Sequence, residues 1–199
     1  MKKIILWALM LTVAMSASAQ LVTSTRVVKH SEKVFSWGPK VGFDLTHFWG
    51  KDITHGVKPS YQAGLFAEFG VTNNFAIAPE VVFASQGGHD DGVTYYTNYI
   101  NVPVMMKFYV SPSFSIDFGP QVGFNVYSKV TIEGSGVKVV TDLKEGTKTV
   151  DFGVGLGATY NIAQDVFVQA RYTMGMTKVF KSGDDIKNGN AQIAIGYRF

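Results

Sequence analysis

Charged side chains fall on one set of alternating positions: Lys40, Asp44, Glu68, Glu80, Lys107, Asp117, Asp151, Arg171 and Arg198. The same set carries Gly at 42, 64, 119, 123, 153, 155, 157, 175 and 196. Charges of both signs, interleaved with residues that have no side chain, suit a confined interior that large polar groups must cross. Unpaired charges there would carry a large desolvation penalty, so ion pairing is the chemistry to expect. Counting depth along each segment puts Glu80 and Arg171 near the middle, Glu68, Lys107 and Arg198 toward one end, and Asp117 somewhat above them. Arg171 is therefore expected to bond Glu80 or Asp151, and Lys107 to bond Glu68 or Asp117. Together with Arg198 these residues make up an expected lumen charge network. As a selectivity filter the same charges would need a continuous water path, for which a narrow interior leaves little room.

Three other constellations invite catalytic or ligand chemistry. Gly153-Val154-Gly155-Leu156-Gly157 has the look of a phosphate loop, but such a loop needs a strand-turn-helix context, and these glycines sit at alternate positions of one strand. His89, Asp90 and Asp91, beside Gly87 and Gly88, offer oxygen and imidazole ligands for a divalent cation; a solvated loop tip is the plainer reading. His47 and Ser85 could serve a serine-type lipid hydrolase near a membrane surface. One strand lies between theirs, however, which sets their backbones about 9 to 10 Å apart, against the roughly 3 Å of a Ser-His hydrogen bond. No catalytic, cofactor or metal residue is assigned, and an enzyme is not expected.

The elements that position these residues follow from the companion set, one residue out of step with the charges. In segments 41–45, 61–69, 75–83, 100–108, 114–126, 150–160, 166–176 and 191–199 every second residue is apolar and none is charged. Strand side chains alternate between faces, so the sequence describes an eight-stranded sheet with one continuous apolar face. An eight-stranded barrel has room inside only for packed side chains. The Gly-and-charge face fits that interior; the bulky apolar face must point outward into lipid. The expected fold is all-β: an eight-stranded antiparallel up-and-down transmembrane β-barrel over residues 38–199.

Residues 1–19 read as a secretory signal peptide: Lys2 and Lys3, an apolar run, then Ser16-Ala17-Ser18-Ala19. Residues 20–37 fall outside the alternation and read as a short periplasmic N-terminal segment. The apolar run is too short for a bilayer helix, so only a closed barrel could span. Two of the 18 Lys and Arg lie in the leader, which leaves the remainder close to balance with 15 Asp and Glu. The basic pI therefore implies no nucleic-acid partner. With no Cys, stability must come from closure and the membrane.

Connections alternate long (47–60, 85–98, 128–148, 177–189) and short (70–74, 109–113, 161–165), the pattern of extracellular loops and periplasmic turns. Outward aromatics gather at both strand ends, as in an interfacial girdle. Pro79, Pro103 and Pro120 lie within strands and predict bulges, because a closed barrel has no edge to accommodate a missing N–H.

The segments Ala78-Pro79-Glu80-Val81-Val82-Phe83, Tyr99 to Lys107 with its Asn101-Val102-Pro103 centre, Asp151-Phe152-Gly153, Ala170-Arg171-Tyr172 and Gly196-Tyr197-Arg198-Phe199 together resemble the PorT-like outer-membrane β-barrel family of the Bacteroidetes. That family often has an acidic residue where this chain has Asn101. The resemblance implies an outer-membrane location and an eight-stranded barrel; one branch of the family is associated with type IX protein secretion. Tyr197 and Phe199 resemble the terminal aromatic signal read by the barrel-assembly machinery. The resulting expectation is a monomer in outer-membrane lipid with a filled lumen, no cofactor, and a structural or interaction role through extracellular loops or periplasmic turns, including a protein partner at the loops. An accessory role in secretion or transport is the alternative.

Overall fold

The computed structural model describes residues 35–50, 56–90, 93–134, 137–142, 145–179, 181 and 186–199. The expected signal peptide and most of the N-terminal segment lie outside these residues, as do the side chains of His89, Asp90 and Asp91. Nine strands are present: β1 (Phe35–Trp49), β2 (Lys58–Thr72), β3 (Phe75–Asp90), β4 (Val93–Ser111), β5 (Phe114–Gly134), β6 (Val137–Asp142), β7 (Val150–Asn161), β8 (Val166–Gly175) and β9 (Lys187–Tyr197). All pairings are antiparallel; the order β4-β3-β2-β1-β9-β8-β7-β5 is closed by β4 against β5. The barrel therefore has eight staves, and β6 is an appendage paired only with the outer end of β5. β1 starts at Phe35, which pairs with Phe69, so three residues assigned to the N-terminal segment belong to the barrel wall.

Alternation sorts the side chains as the parity rule requires. Val41, Phe43, Leu65, Val81, Leu156, Ile193 and Ile195 are exposed on the outer surface, whereas Lys40, Asp44, Glu80, Asp117 and Arg171 are buried inside. This is the inverse of a soluble protein, and it is stable only where the exposed apolar surface meets hydrocarbon rather than water. Around the lower rim the outward aromatics touch in pairs: Phe35 with Phe69, Trp37 with Phe199, Phe75 with Phe108.

Two sequence expectations need correction. The prolines produce no bulges. Pairing lapses for two rungs where Pro79 meets β2, where Pro103 meets β3 and where Pro120 meets β4, and each ladder resumes in the same register. Losing a donor removes rungs without requiring an extra residue. The bulges instead insert Val71, Val110 and Val126. Two of these adjust strand length beside tight turns, and the third reverses the parity of β5, exposing Tyr127 and burying Ser128 and Val130.

The long connections are also less irregular than their sequence suggests. β3 and β4 stay paired up to Asp90 and Val93, and β5 pairs with β6 up to Gly134 and Val137. β4 and β5 contain 19 and 21 residues, roughly twice the 9 to 11 that a tilted strand needs to cross the apolar layer. Their outer halves form hairpins that stand above the membrane.

Candidate functional site

The barrel interior holds the charged residues, and register places them in layers. In the middle layer Glu80 of β3 receives a bidentate fork from Arg171 of β8, with Nη2 to Oε1 at 2.6 Å and Nη1 to Oε2 at 3.0 Å. Lys40 of β1 donates to the same Oε2 at 2.8 Å and to Gln169 Oε1 at 2.9 Å. Gln169 passes the network on, donating to Asp117 Oδ2 at 3.2 Å and Thr159 Oγ1 at 3.1 Å. Asp117 is further satisfied by the hydroxyls of Ser115 and Thr159. A chain of polar contacts thus crosses the lumen from β3 to β5, through β1, β8 and β7.

Toward the turns, Lys107 bonds Glu68 at 2.8 Å, and Tyr109 donates its hydroxyl to the other oxygen of that carboxylate at 2.5 Å. Arg198 lies 3.6 Å from Glu68 and donates to Asn161 at 2.8 Å. Below and between these charges sits an aromatic wedge: Phe66 meets Phe167 edge-on, and the Phe167 ring lies under Lys107 and Arg198, 5.5 and 4.8 Å from its centroid. The wedge has room because position 196 is Gly. A Cβ there would stand 2.3 Å from the Phe167 ring.

Of the expected partners, Arg171 takes Glu80 and not Asp151, and Lys107 takes Glu68, although Asp117 is its direct register neighbour. Asp117 pairs with neutral donors. Asp151 lies near the outer mouth, where it accepts from Thr177 and from Asn188 at 2.9 Å. The sequence reading placed Lys40 on the correct face but gave it no role, and it left out the neutral relays Gln169, Thr159 and Ser115. Their shared parity and depth with Asp117 were the available signal.

The outer end is closed differently. Phe48 is buried, touches Tyr95 edge-on and fills the space over Gly88. Lys58 and Lys129, from β2 and β5, stack on the Tyr96 ring 4.4 and 5.0 Å from its centroid. Residues 146–148 bond by backbone to Val179 and Lys181, Lys148 N–H to Val179 and Lys181 N–H to Gly146, and Thr147 and Val179 are buried there. His47 leans toward β9 and β8, over Gly189 and 3.4 Å from the Tyr172 hydroxyl, while Ser85 is buried on β3 on the far side of β2. The two residues weighed as a hydrolase pair face different neighbours.

A family model described as outer membrane protein beta-barrel domain matches residues 18–181. Among solved structures, Ail, the attachment invasion locus protein of Yersinia pestis, superposes with a TM-score of 0.56 at 15% identity, over 84% of this chain and all of that one (100%). Neisserial surface protein A superposes with a TM-score of 0.52 at 13% identity, over 84% of this chain and 98% of that one. No curated protein matches the sequence. At such identities the likeness is one of fold.

Proposed function

The chain belongs to the outer membrane protein beta-barrel family and resides in the outer membrane, and on that premise we propose that it acts as a monomeric scaffold that presents its external hairpins to a protein partner. The observation carrying this reading is the contrast between a lumen filled by ion pairs and the Phe66–Phe167 wedge, and paired strands that continue above the membrane. A plugged barrel offers surfaces rather than a passage. Rigid, hydrogen-bonded hairpins lose less entropy on binding than irregular loops do. Tyr96 and Tyr127, stacked with Lys58 and Lys129, supply the aromatic and cationic character common among contact anchors.

The alternative, an accessory role in protein secretion or transport, draws support from the PorT-like segments around Glu80, Pro103 and Arg171. A photo-crosslinking residue at Tyr96 or Tyr127 in native outer membranes tests the first reading, which expects one specific protein adduct. Excising residues 89–94 should abolish that adduct while the barrel still assembles. A secretion defect on deleting the gene, with no hairpin adduct, would favour the alternative.

A further inference from the structure

We propose that the outer half of the lumen binds one hard cation of the Ca²⁺ class, between Asp151 and the carbonyl oxygens of Asn188 and Asn190. A cavity of about 10 Å³ opens there, lined by Gln86, Gln121, Asp151, Thr173, Asn188 and Asn190 together with glycines. That is room for a single water-sized occupant. Asn188 and Asn190 are 6% and 5% exposed. Each turns its amide NH₂ to a carboxylate, Asn188 to Asp151 at 2.9 Å and Asn190 to Asp44 at 3.4 Å. Their carbonyl oxygens are left buried with no hydrogen-bond partner, and so is Oδ1 of Asp44. Two orphaned carbonyl oxygens on residues that line one cavity are a costly arrangement that a ligand there would relieve.

Charge distinguishes an ion from a water in this space. The cations of the middle and lower layers bond Glu80 and Glu68. No described Lys or Arg forms an ion pair with Asp44 or Asp151, and none lines the cavity. Lys58, buried on β2, directs its ammonium to Gln86 O, Ser60 and the Tyr96 face. A water would satisfy the carbonyls yet leave the negative charge in place. The donors are all carboxylate, amide and hydroxyl oxygens, the set that hard cations take. Mg²⁺ keeps several waters in its shell, for which a cavity of this size has no space. Bound there, the ion would tie β7 to β9 across the mouth.

The full-length barrel, stripped with chelator and refolded into zwitterionic vesicles free of lipopolysaccharide, provides the test. Calcium chloride should bind with one-to-one stoichiometry by titration calorimetry and raise the urea midpoint relative to chelator, with magnesium chloride having a smaller effect. Asp151→Asn, which keeps shape but removes charge, should weaken binding about tenfold or more. Asn190→Ala should weaken it too, while Glu145→Gln, at an exposed position, should leave it unchanged. Identical midpoints in calcium and chelator, an equal response to magnesium, or calcium binding undiminished in both Asp151→Asn and Asn190→Ala would overturn the proposal.

Discussion

Replacing Glu80 by Gln should be the most damaging single change in the lumen, more so than removing either of its cations. Glu80 accepts three charge-assisted bonds, at 2.6, 2.8 and 3.0 Å, from two buried cations. A glutamine keeps the volume but offers one acceptor oxygen and turns an NH₂ toward donors. Lys40 and Arg171 are then left facing each other without an anion, which by analogy with broken buried pairs costs about 3 to 5 kcal/mol. Arg171→Met leaves Glu80 with Lys40, a neutral pair, so its cost should be about 2 to 3 kcal/mol, near that of a charged hydrogen bond. Lys40→Met leaves the bidentate fork intact and should cost about 1 to 2 kcal/mol. Combining Lys40→Met with Glu80→Gln removes one of the stranded cations, so the double variant should be more stable than Glu80→Gln alone, a non-additive result. Urea unfolding in lipid vesicles, followed through Trp37 and Trp49 of β1, would give the series. If Glu80→Gln were no worse than Lys40→Met, the lumen would have to be hydrated enough to screen its charges, and the hub would not exist.

Other outcomes follow from the same geometry. Ile195→Arg places a cation in the lipid-facing wall and should destabilise by about 2 to 4 kcal/mol in the same vesicle assay, whereas Ile195→Leu should be near neutral. Phe167→Ala removes the aromatic wedge; it should lower stability by about 3 to 5 kcal/mol. In planar bilayers the unmodified barrel should show no large steady conductance, and only Phe167→Ala should show brief openings. Gly87→Ala puts a side chain on a residue with φ of 136° and a Cβ 2.0 Å from the Tyr95 carbonyl oxygen. It should slow or misdirect pairing of the β3–β4 hairpin, seen as raised protease sensitivity around residues 85–98 with the barrel band on gels unchanged.

Much of the wall was legible because lipid enforces the period-2 signal: every outward residue from 41 to 45, or 150 to 160, must be apolar, and one slip would put a charge in hydrocarbon. Above the membrane that enforcement ends. Thr94-Tyr95-Tyr96-Thr97-Asn98 is rich in strand-favouring Thr and Tyr but has no apolar-polar alternation, so the period-2 signal is lost and a paired hairpin reads as a loop. Partner choice in the lumen was legible only in outline. Lys107 is opposite Asp117 in register yet reaches Glu68, two strands away along the wall, because a long side chain in a narrow barrel samples the far side as easily as its neighbour. Lys40 was passed over because depth along a single strand cannot reveal that Arg171 and Lys40 share one carboxylate. Only the closed cross-section can.

That cross-section is sealed by a seam between β1 and β9, where Lys40 lies beside Gly196 and Trp49 beside Lys187. The two staves that meet there stand at nearly opposite ends of the chain, so their contacts are the most distant in sequence that the fold possesses. Every other barrel pairing joins strands that are close along the chain, β5 and β7 with only β6 between them. This one must wait for the whole wall, and loop closure is at its most demanding there. Until it forms, both edges expose unpaired backbone groups and invite pairing with other chains. The Glu80 hub adds to the same constraint, since one of its cations hangs from β1 and the other from β8. Lys40 can meet Glu80 across the β1–β3 sheet, but Arg171 can reach it only once β8 and β3 face each other in the closed section, so completing the ion triad demands the same closure as the seam.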